Sequence, residues 1–253
     1  LRALDKAGKT PPDIDYILAG DLLNQCIGTS FGIREFGIPF LGLYGACSTM
    51  ALSLGLASVL VEAEAARTAI ASTSSHYCSA ERQFRQPLEY GGQRPQTAQR
   101  TATAAGASVV SAHSQNKPSV AAVTFGKIMD LGIKDANNMG AAMAPAAAET
   151  ISAFFEDTAT NPDDYDLVLT GDLGKVGSSL VLDLLQKDHN LDISKLHNDC
   201  GLLIYDLEKQ DVHAGGSGCG CAGSVFNSYI LRRLQSGELK RVLLVATGAL
   251  LSP

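Results

Sequence analysis

Cys47 lies in the run Phe40-Leu41-Gly42-Leu43-Tyr44-Gly45-Ala46-Cys47-Ser48-Thr49-Met50, a pattern that can present a reactive group. Residues 40–44 predict a short buried strand, and Gly45 and Ala46 a narrow turn. Ser48 or Thr49 can cap a helix running through Leu52, Leu54, Leu56, Val59 and Leu60. No Asp, Glu, Lys or Arg lies between Glu35 and Glu62, so both elements are expected to be central. Cys47 would then sit at a helix N-terminus. Unpaired backbone N–H groups and the helix dipole favour negative charge there, either a thiolate or a bound carboxylate. The alternative is a small buried filler, a common fate of a free cysteine.

Other residues could serve an anion. Ser48 shares the Cys47 turn, and Ser217 lies in the Gly-rich run Gly215-Gly216-Ser217-Gly218-Cys219-Gly220-Cys221, where further N–H groups are expected. Arg82 and Arg85 offer guanidinium forks, with a solvated pair or a dimer salt bridge as the alternative. Asn24 and Gln25 follow a strand's C-terminal end, where ligands of parallel sheets sit. His76 follows a strand ending near Ser75, and a structural role stays open for it. Cys219-Gly220-Cys221 lacks the second ligand pair that zinc needs, so no metal site is expected. His197-Asn198-Asp199-Cys200 reads as a loop into a strand over 202–205. No G-x-x-x-x-G-K-[ST] loop supports nucleotide binding.

The elements that must position these residues repeat. Residues 11–22 (PPDIDYILAGDL) align with 162–173 (PDDYDLVLTGDL) at a shift of 151. A helix precedes each copy, over 1–8 and 150–157. A strand is predicted over 14–19, ended by Gly20-Asp21, and others over 68–72, 104–111 and 242–246. Helices are predicted over 49–60 and 225–234. A shift near 174 sets Cys221 on Cys47. Duplication implies α/β halves over 1–115 and 116–253, packed about a pseudo-two-fold axis. Their sheets would be mixed but mostly parallel, with helices between and outside them. Residues 76–105 read as a long excursion over a surface or pocket, and 114–118 as the junction. Residues 139–148 (MGAAMAPAAA) read as a small-residue loop entering a helix and a candidate pocket lid.

Composition narrows the class. The 253 residues are 45% hydrophobic and 18% charged, with no Trp, enough to bury a full core. A net charge of −6 without a Lys/Arg cluster argues against nucleic acid. Six scattered cysteines suggest a reducing compartment. The uncharged run over 37–61 is broken by Pro39, Gly42 and Gly45, against a membrane span. The first residues are not a signal peptide. Both termini read as truncated, so the chain is expected to be the body of a longer one.

Three blocks resemble the thiolase superfamily in order: Ala19-Gly20-Asp21-Leu22-Leu23-Asn24-Gln25; Gly37-Ile38-Pro39-Phe40 before Ala46-Cys47-Ser48-Thr49; and the stretch from Met139 to Ala146. Further blocks are similar to one branch, the stage V sporulation protein AD family of spore-forming bacteria. They are Ala80-Glu81-Arg82-Gln83-Phe84-Arg85, Glu89-Tyr90-Gly91-Gly92-Gln93, His197-Asn198-Asp199-Cys200-Gly201-Leu202 and Ala246-Thr247-Gly248-Ala249-Leu250-Leu251-Ser252-Pro253. The likeness runs over essentially the whole chain.

That resemblance implies a thiolase-like fold. It also implies a role in sporulation and germination: binding dipicolinic acid (pyridine-2,6-dicarboxylate) and helping it, with calcium, into the spore through the SpoVA channel. By the same analogy we expect a homodimer, other SpoVA channel proteins as partners, and no cofactor. We also expect a location in the spore or forespore, soluble but peripheral to the inner spore membrane. Acyl transfer on this fold needs a thiolate, a base and oxyanion donors. Cys47 matches the nucleophile. The loops that would carry the His and Asn read Thr170-Gly171-Asp172-Leu173 and Gly216-Ser217-Gly218 and hold neither. A binder on an enzyme fold is therefore favoured, with Asn24, Cys47, Ser48, His76, Arg82, Asp172 and Ser217 as ligand-site candidates. A Cys47-dependent acyltransferase, with His76 as base, and a scaffold for partner proteins are the competing readings.

Overall fold

The computed structural model describes residues 1–84, 92–112 and 117–249. The first half opens with α1 (Arg2–Ala7), closed by Gly8 at φ 64°. It continues with β1 (Tyr16–Asp21), α2 (Ile27–Ile33), β2 (Phe40–Gly42), α3 (Thr49–Glu62) and β3 (Thr68–Ser75). Then come α4 (Tyr77–Phe84), β4 (Arg100–Thr101) and β5 (Ala104–Ser111). The second half contains α5 (Met139–Thr158), β6 (Leu167–Thr170), α6 (Gly174–Asp188), β7 (His197–Asp199) and α7 (Cys200–Leu203). It ends with β8 (Gly216–Ser217), α8 (Cys219–Val225), a π-helical turn (Phe226–Ile230), α9 (Leu231–Gln235) and β9 (Val242–Val245).

One sheet has the order β2-β1-β3-β5, with only β5 antiparallel, and another the order β7-β6-β9, all parallel. β1 and β6 are almost wholly buried and show no polar alternation, as expected of central parallel strands. Their faces feed different cores. Leu18 and Leu169 meet Met50, Cys221 and Val225 between the sheets. Ile17 and Ala19 pack outward with Leu4 and Ile14, while Val168 packs outward with residues of α5 and α6. α3 and α8 thus form a middle layer between two sheets, with further helices outside. Small residues allow it: a Cβ on Gly106 of β5 would overlap the Gly223 carbonyl of α8.

The repeat is visible in individual hydrogen bonds. A capping box closes the 3-10 turn at Pro11–Asp13, and another closes the one at Pro162–Asp164. Asp15 accepts from the backbone N–H groups of Arg67 and Thr68; Asp166, 151 positions on, accepts from those of Lys240 and Arg241.

Several local expectations need correction. β2 is an edge strand with Leu41 and Gly42 exposed, because it has a neighbour on one side only. Residues 139–148 are helical from Met139, with Asn138 capping by accepting from Ala141 N–H and Pro145 accommodated inside. The loop expected over 197–200 is strand β7 running into the short helix α7 (Cys200–Leu203), and no strand forms over 202–205. Asp199 caps α7 by accepting from Gly201 N–H, which turns the chain out of β7. Residues 117–137 carry neither helix nor strand; Val123 reaches toward Gly55 of α3, and Lys127 pairs with Glu149 of α5 at 3.5 Å. Arg85, most of the expected 114–118 junction and residues 250–253 lie outside the described residues.

Candidate functional site

Cys47 occupies a 3-10 turn (Ala46–Ser48) that leads into α3. Neither hydroxyl caps the helix. Ser48 Oγ donates back to Gly45 O (2.7 Å) and Thr49 Oγ1 to Ala46 O (2.8 Å), so both rigidify the turn instead. Ala46 is left-handed at φ 48°, and Gln25 and Cys26, at φ 63° and 51°, are left-handed just after Asn24. Such strain persists only where surrounding contacts impose it. Two of those contacts are Cys26 Sγ to Leu43 O (3.2 Å) and Tyr44 hydroxyl to Leu22 O (3.2 Å). Burial raises the pKa of Tyr44, the neighbouring thiols adding to the effect.

Cys47 is 5% exposed, in an apolar cluster drawn from both halves: Leu22, Ala80, Met139, Met143, Leu173, Cys219 and Ala249 among others. The loop after β9 lies on its turn, since a Cβ on Gly248 would sit 3.3 Å from Cys47 N and overlap Gly45 O.

A second group surrounds α4. Its inner face buries Ala80 and Glu81; Ala80 joins the Cys47 cluster. Its outer face borders an open surface cavity of about 430 Å³ lined by His76, Cys78, Ser79, Arg82 and Gln83. Gln83 Nε2 donates to Asn24 Oδ1 at 2.8 Å, which ties Asn24 to the side of α4 that carries His76 and Arg82.

Asp172 and Ser217 form a third group. Asp172 is fully buried, and its Oδ2 accepts from Gly218 N–H (2.6 Å) and from Ser217 Oγ (3.2 Å). Behind them Asp199, also fully buried, accepts from Thr170 Oγ1 and from the N–H groups of Leu173, Gly174 and Gly201 at 2.6–3.0 Å. Burial pushes Asp199 up to about 6 against these hydrogen bonds, and the charge of Asp172 adds to the rise. Burial takes His197 down to about 4. Its Nε2 lies 2.9 Å from Thr170 Oγ1, whose own proton goes to Asp199; the neutral imidazole therefore carries its hydrogen on Nε2.

Burial also drives Cys219 up to about 12, and Cys200 and Cys221 well above the usual thiol value. These thiols are neutral at physiological pH. Among the described residues no group of three or more His, Cys, Asp or Glu is arranged to hold a metal.

Sequence reasoning proposed seven site residues, and the structure sorts them into these three places. It passed over Glu81, Gln99, Tyr44 and Gly248. Glu81 was legible only as the neighbour of Arg82, and no local pattern marks Gln99 or Gly248.

Comparison with known proteins places the chain. A sequence-family profile described as Stage V sporulation protein AD (SpoVAD) matches residues 1–253. Stage V sporulation protein AD of Bacillus subtilis (strain 168) is 51% identical over 251 residues, covering 99% of this chain and 73% of that protein. Among solved structures, 3-oxoacyl-[acyl-carrier-protein] synthase III of Aquifex aeolicus VF5 matches with a TM-score of 0.62 at 14% identity, over 98% of this chain and 77% of that one. OleA H285N of Xanthomonas campestris, solved with cerulenin, matches with a TM-score of 0.63 at 11% identity, over 98% and 74%. At these identities the structural likeness shows a thiolase-like α/β fold and nothing finer.

Proposed function

The chain belongs to the stage V sporulation protein AD family, and on that premise we propose that it binds dipicolinate without turning it over. The proposal adds that it assists uptake of dipicolinate, with calcium, into the spore through SpoVA channel proteins. One observation carries the choice of binder over enzyme. The two loops that would supply a base and an amide beside Cys47 hold Gly171, Asp172 and Ser217, and the Asp172 carboxylate is already engaged by Ser217 and Gly218. Acid–base assistance contributes about 10²–10⁴ in rate, so a thiol lacking it is a poor acyl-transfer catalyst.

In this reading the ligand's carboxylates are met outside the apolar Cys47 cluster, where burying a charge without partners is costly. Arg82, with His76 and Asn24 beside it, serves one at the α4 cavity, and calcium bound with the ligand serves the other. Asp172 and Ser217 shape the site by holding the turn at Gly218. The protein works as a homodimer at the inner spore membrane; no helix among the described residues is long and apolar enough to cross it.

Calorimetry with dipicolinate, with and without calcium, tests this. Arg82→Ala should weaken binding by about 1.5–3 kcal/mol, the worth of a charge-assisted hydrogen bond. Arg82→Lys should recover only part, because an ammonium lacks the fork. The strained turn at Ala46 favours a second reading, an acyltransferase using Cys47. Turnover of acyl-CoA by the parent protein, lost in Cys47→Ala, would establish that reading instead.

A further inference from the structure

The α4 cavity and the Asp172–Ser217 pair belong to different halves, yet one buried side chain joins them. Glu81 is 1% exposed and lies on α4 immediately before Arg82. Its Oε1 accepts from Thr101 N–H at 2.9 Å. Thr101 stands opposite Ser217 in the parallel pair β4–β8, which is extended by Arg100 N–H to Gly215 O and Ala102 N–H to Ser217 O, both at 2.9 Å. Its Oε2 lies 3.8 Å from the Arg94 guanidinium, which donates to the Gln99 carbonyl. The Gln99 side chain, 2% exposed, donates through Nε2 to both Asp172 O (2.8 Å) and Gly216 O (2.7 Å). From α4 one hydrogen bond and one ion pair thus hold the 94–102 segment, whose own hydrogen bonds reach the loop after β6 and the turn before α8.

We propose that Glu81 is a positioning residue that fixes the α4 cavity, with His76 and Arg82, against the Asp172–Ser217 pair of the other half. A buried carboxylate at this place is costly unless its acceptors are filled, and both of its oxygens face the segment that leads to Ser217. If Glu81 is removed, Thr101 N–H loses its acceptor and Arg94 its counter-charge. The 94–101 segment then no longer registers α4 on the turn. The idea rests on the proposed ligand site only for its binding consequence; the mechanical coupling stands independently of any ligand.

The test uses the full chain with Glu81→Ala and Glu81→Gln. Hydrogen exchange followed by mass spectrometry should show faster exchange in Glu81→Ala over 97–103 and also over 213–221. In Glu81→Gln, which keeps the acceptor for Thr101, both segments should stay close to the parent. Dipicolinate affinity should fall about tenfold or more in Glu81→Ala and recover in Glu81→Gln. If Glu81→Ala does not fold, Glu81→Asp, one methylene short of Thr101, takes its place with the same expectations. Exchange changes confined to α4 and 97–103 would overturn the proposal, as would unchanged affinity in a folded Glu81→Ala protein. Absence of dipicolinate binding by the parent would sink the binding reading instead, and the coupling would then be decided by the exchange over 213–221.

Discussion

The two halves share a framework and differ at their strand ends. β1 ends in Gly20-Asp21; β6 is followed by Gly171-Asp172, 151 positions later. Both carboxylates are buried. Asp21 closes a local loop, accepting from Leu23 N–H (2.8 Å), Thr29 N–H (2.6 Å) and Thr29 Oγ1 (2.6 Å). Asp172 reaches 45 and 46 residues along the chain, to Ser217 and Gly218. The neighbouring strands diverge further. Phe40 and Gly42 of β2 take the register positions that His197 and Asp199 take in β7. One half therefore has an open apolar edge where the other has a buried polar cluster. Local backbone ties survive in both copies because they stabilise each unit separately. Strand-end side chains are free to differ because they meet different surroundings.

The largest effect expected from this contrast is on the carboxylates. Asp172→Ala and Asp21→Ala should each cost roughly 3–5 kcal/mol in chemical unfolding, since each leaves buried donors unpaired. Their footprints should differ: hydrogen exchange should quicken over 22–30 in Asp21→Ala but over 213–221 in Asp172→Ala. Equal loosening of 213–221 by both would break the contrast.

Next comes pH. The folded Asp199 has its pKa raised from 3.8 to about 6, so the stability it contributes is full below the unfolded value and lost as pH rises through about 6. His197 is lowered from 6.5 to about 4, so its contribution is present above the unfolded value and lost as pH falls through about 4. The two nearly cancel between these limits. His197→Gln should leave only the Asp199 slope, and stability should then drop by about 2 kcal/mol between pH 4 and pH 6. A flat profile in that variant would show that the hydrogen bonds to Asp199 outweigh its burial.

The last concerns the paired glycines. A Cβ on Gly20 would overlap the Leu43 carbonyl, whereas one on Gly171 would lie 3.1 Å from Ala246 Cβ. Gly20→Ala should cost about 3 kcal/mol or more and Gly171→Ala about 1 kcal/mol, read as the difference in unfolding midpoint. Equal costs would mean that the two strand ends are packed alike after all.

Sequence alone determined the repeat, and with it the parallel α/β architecture. The 151-residue shift, the Pro-initiated turns and the fully apolar strands are local patterns, set by backbone hydrogen bonding and side-chain period. It also placed Cys47 at a strand-to-helix turn, because Gly45 and Ala46 break one element before another begins. Only the tertiary structure decided which candidates meet. Gln99 lies 117 residues from the Gly216 carbonyl it binds, and Gly248 presses on the Cys47 turn from the far end of the chain. Leu41 looked buried by its neighbours in sequence and is exposed because β2 has a single strand partner. Residues 197–199 looked like a loop before a strand and are a strand before a helix, because Asp199 caps α7. These outcomes depend on how two sheets pack across a shared layer of helices, a long-range arrangement that no window of sequence contains.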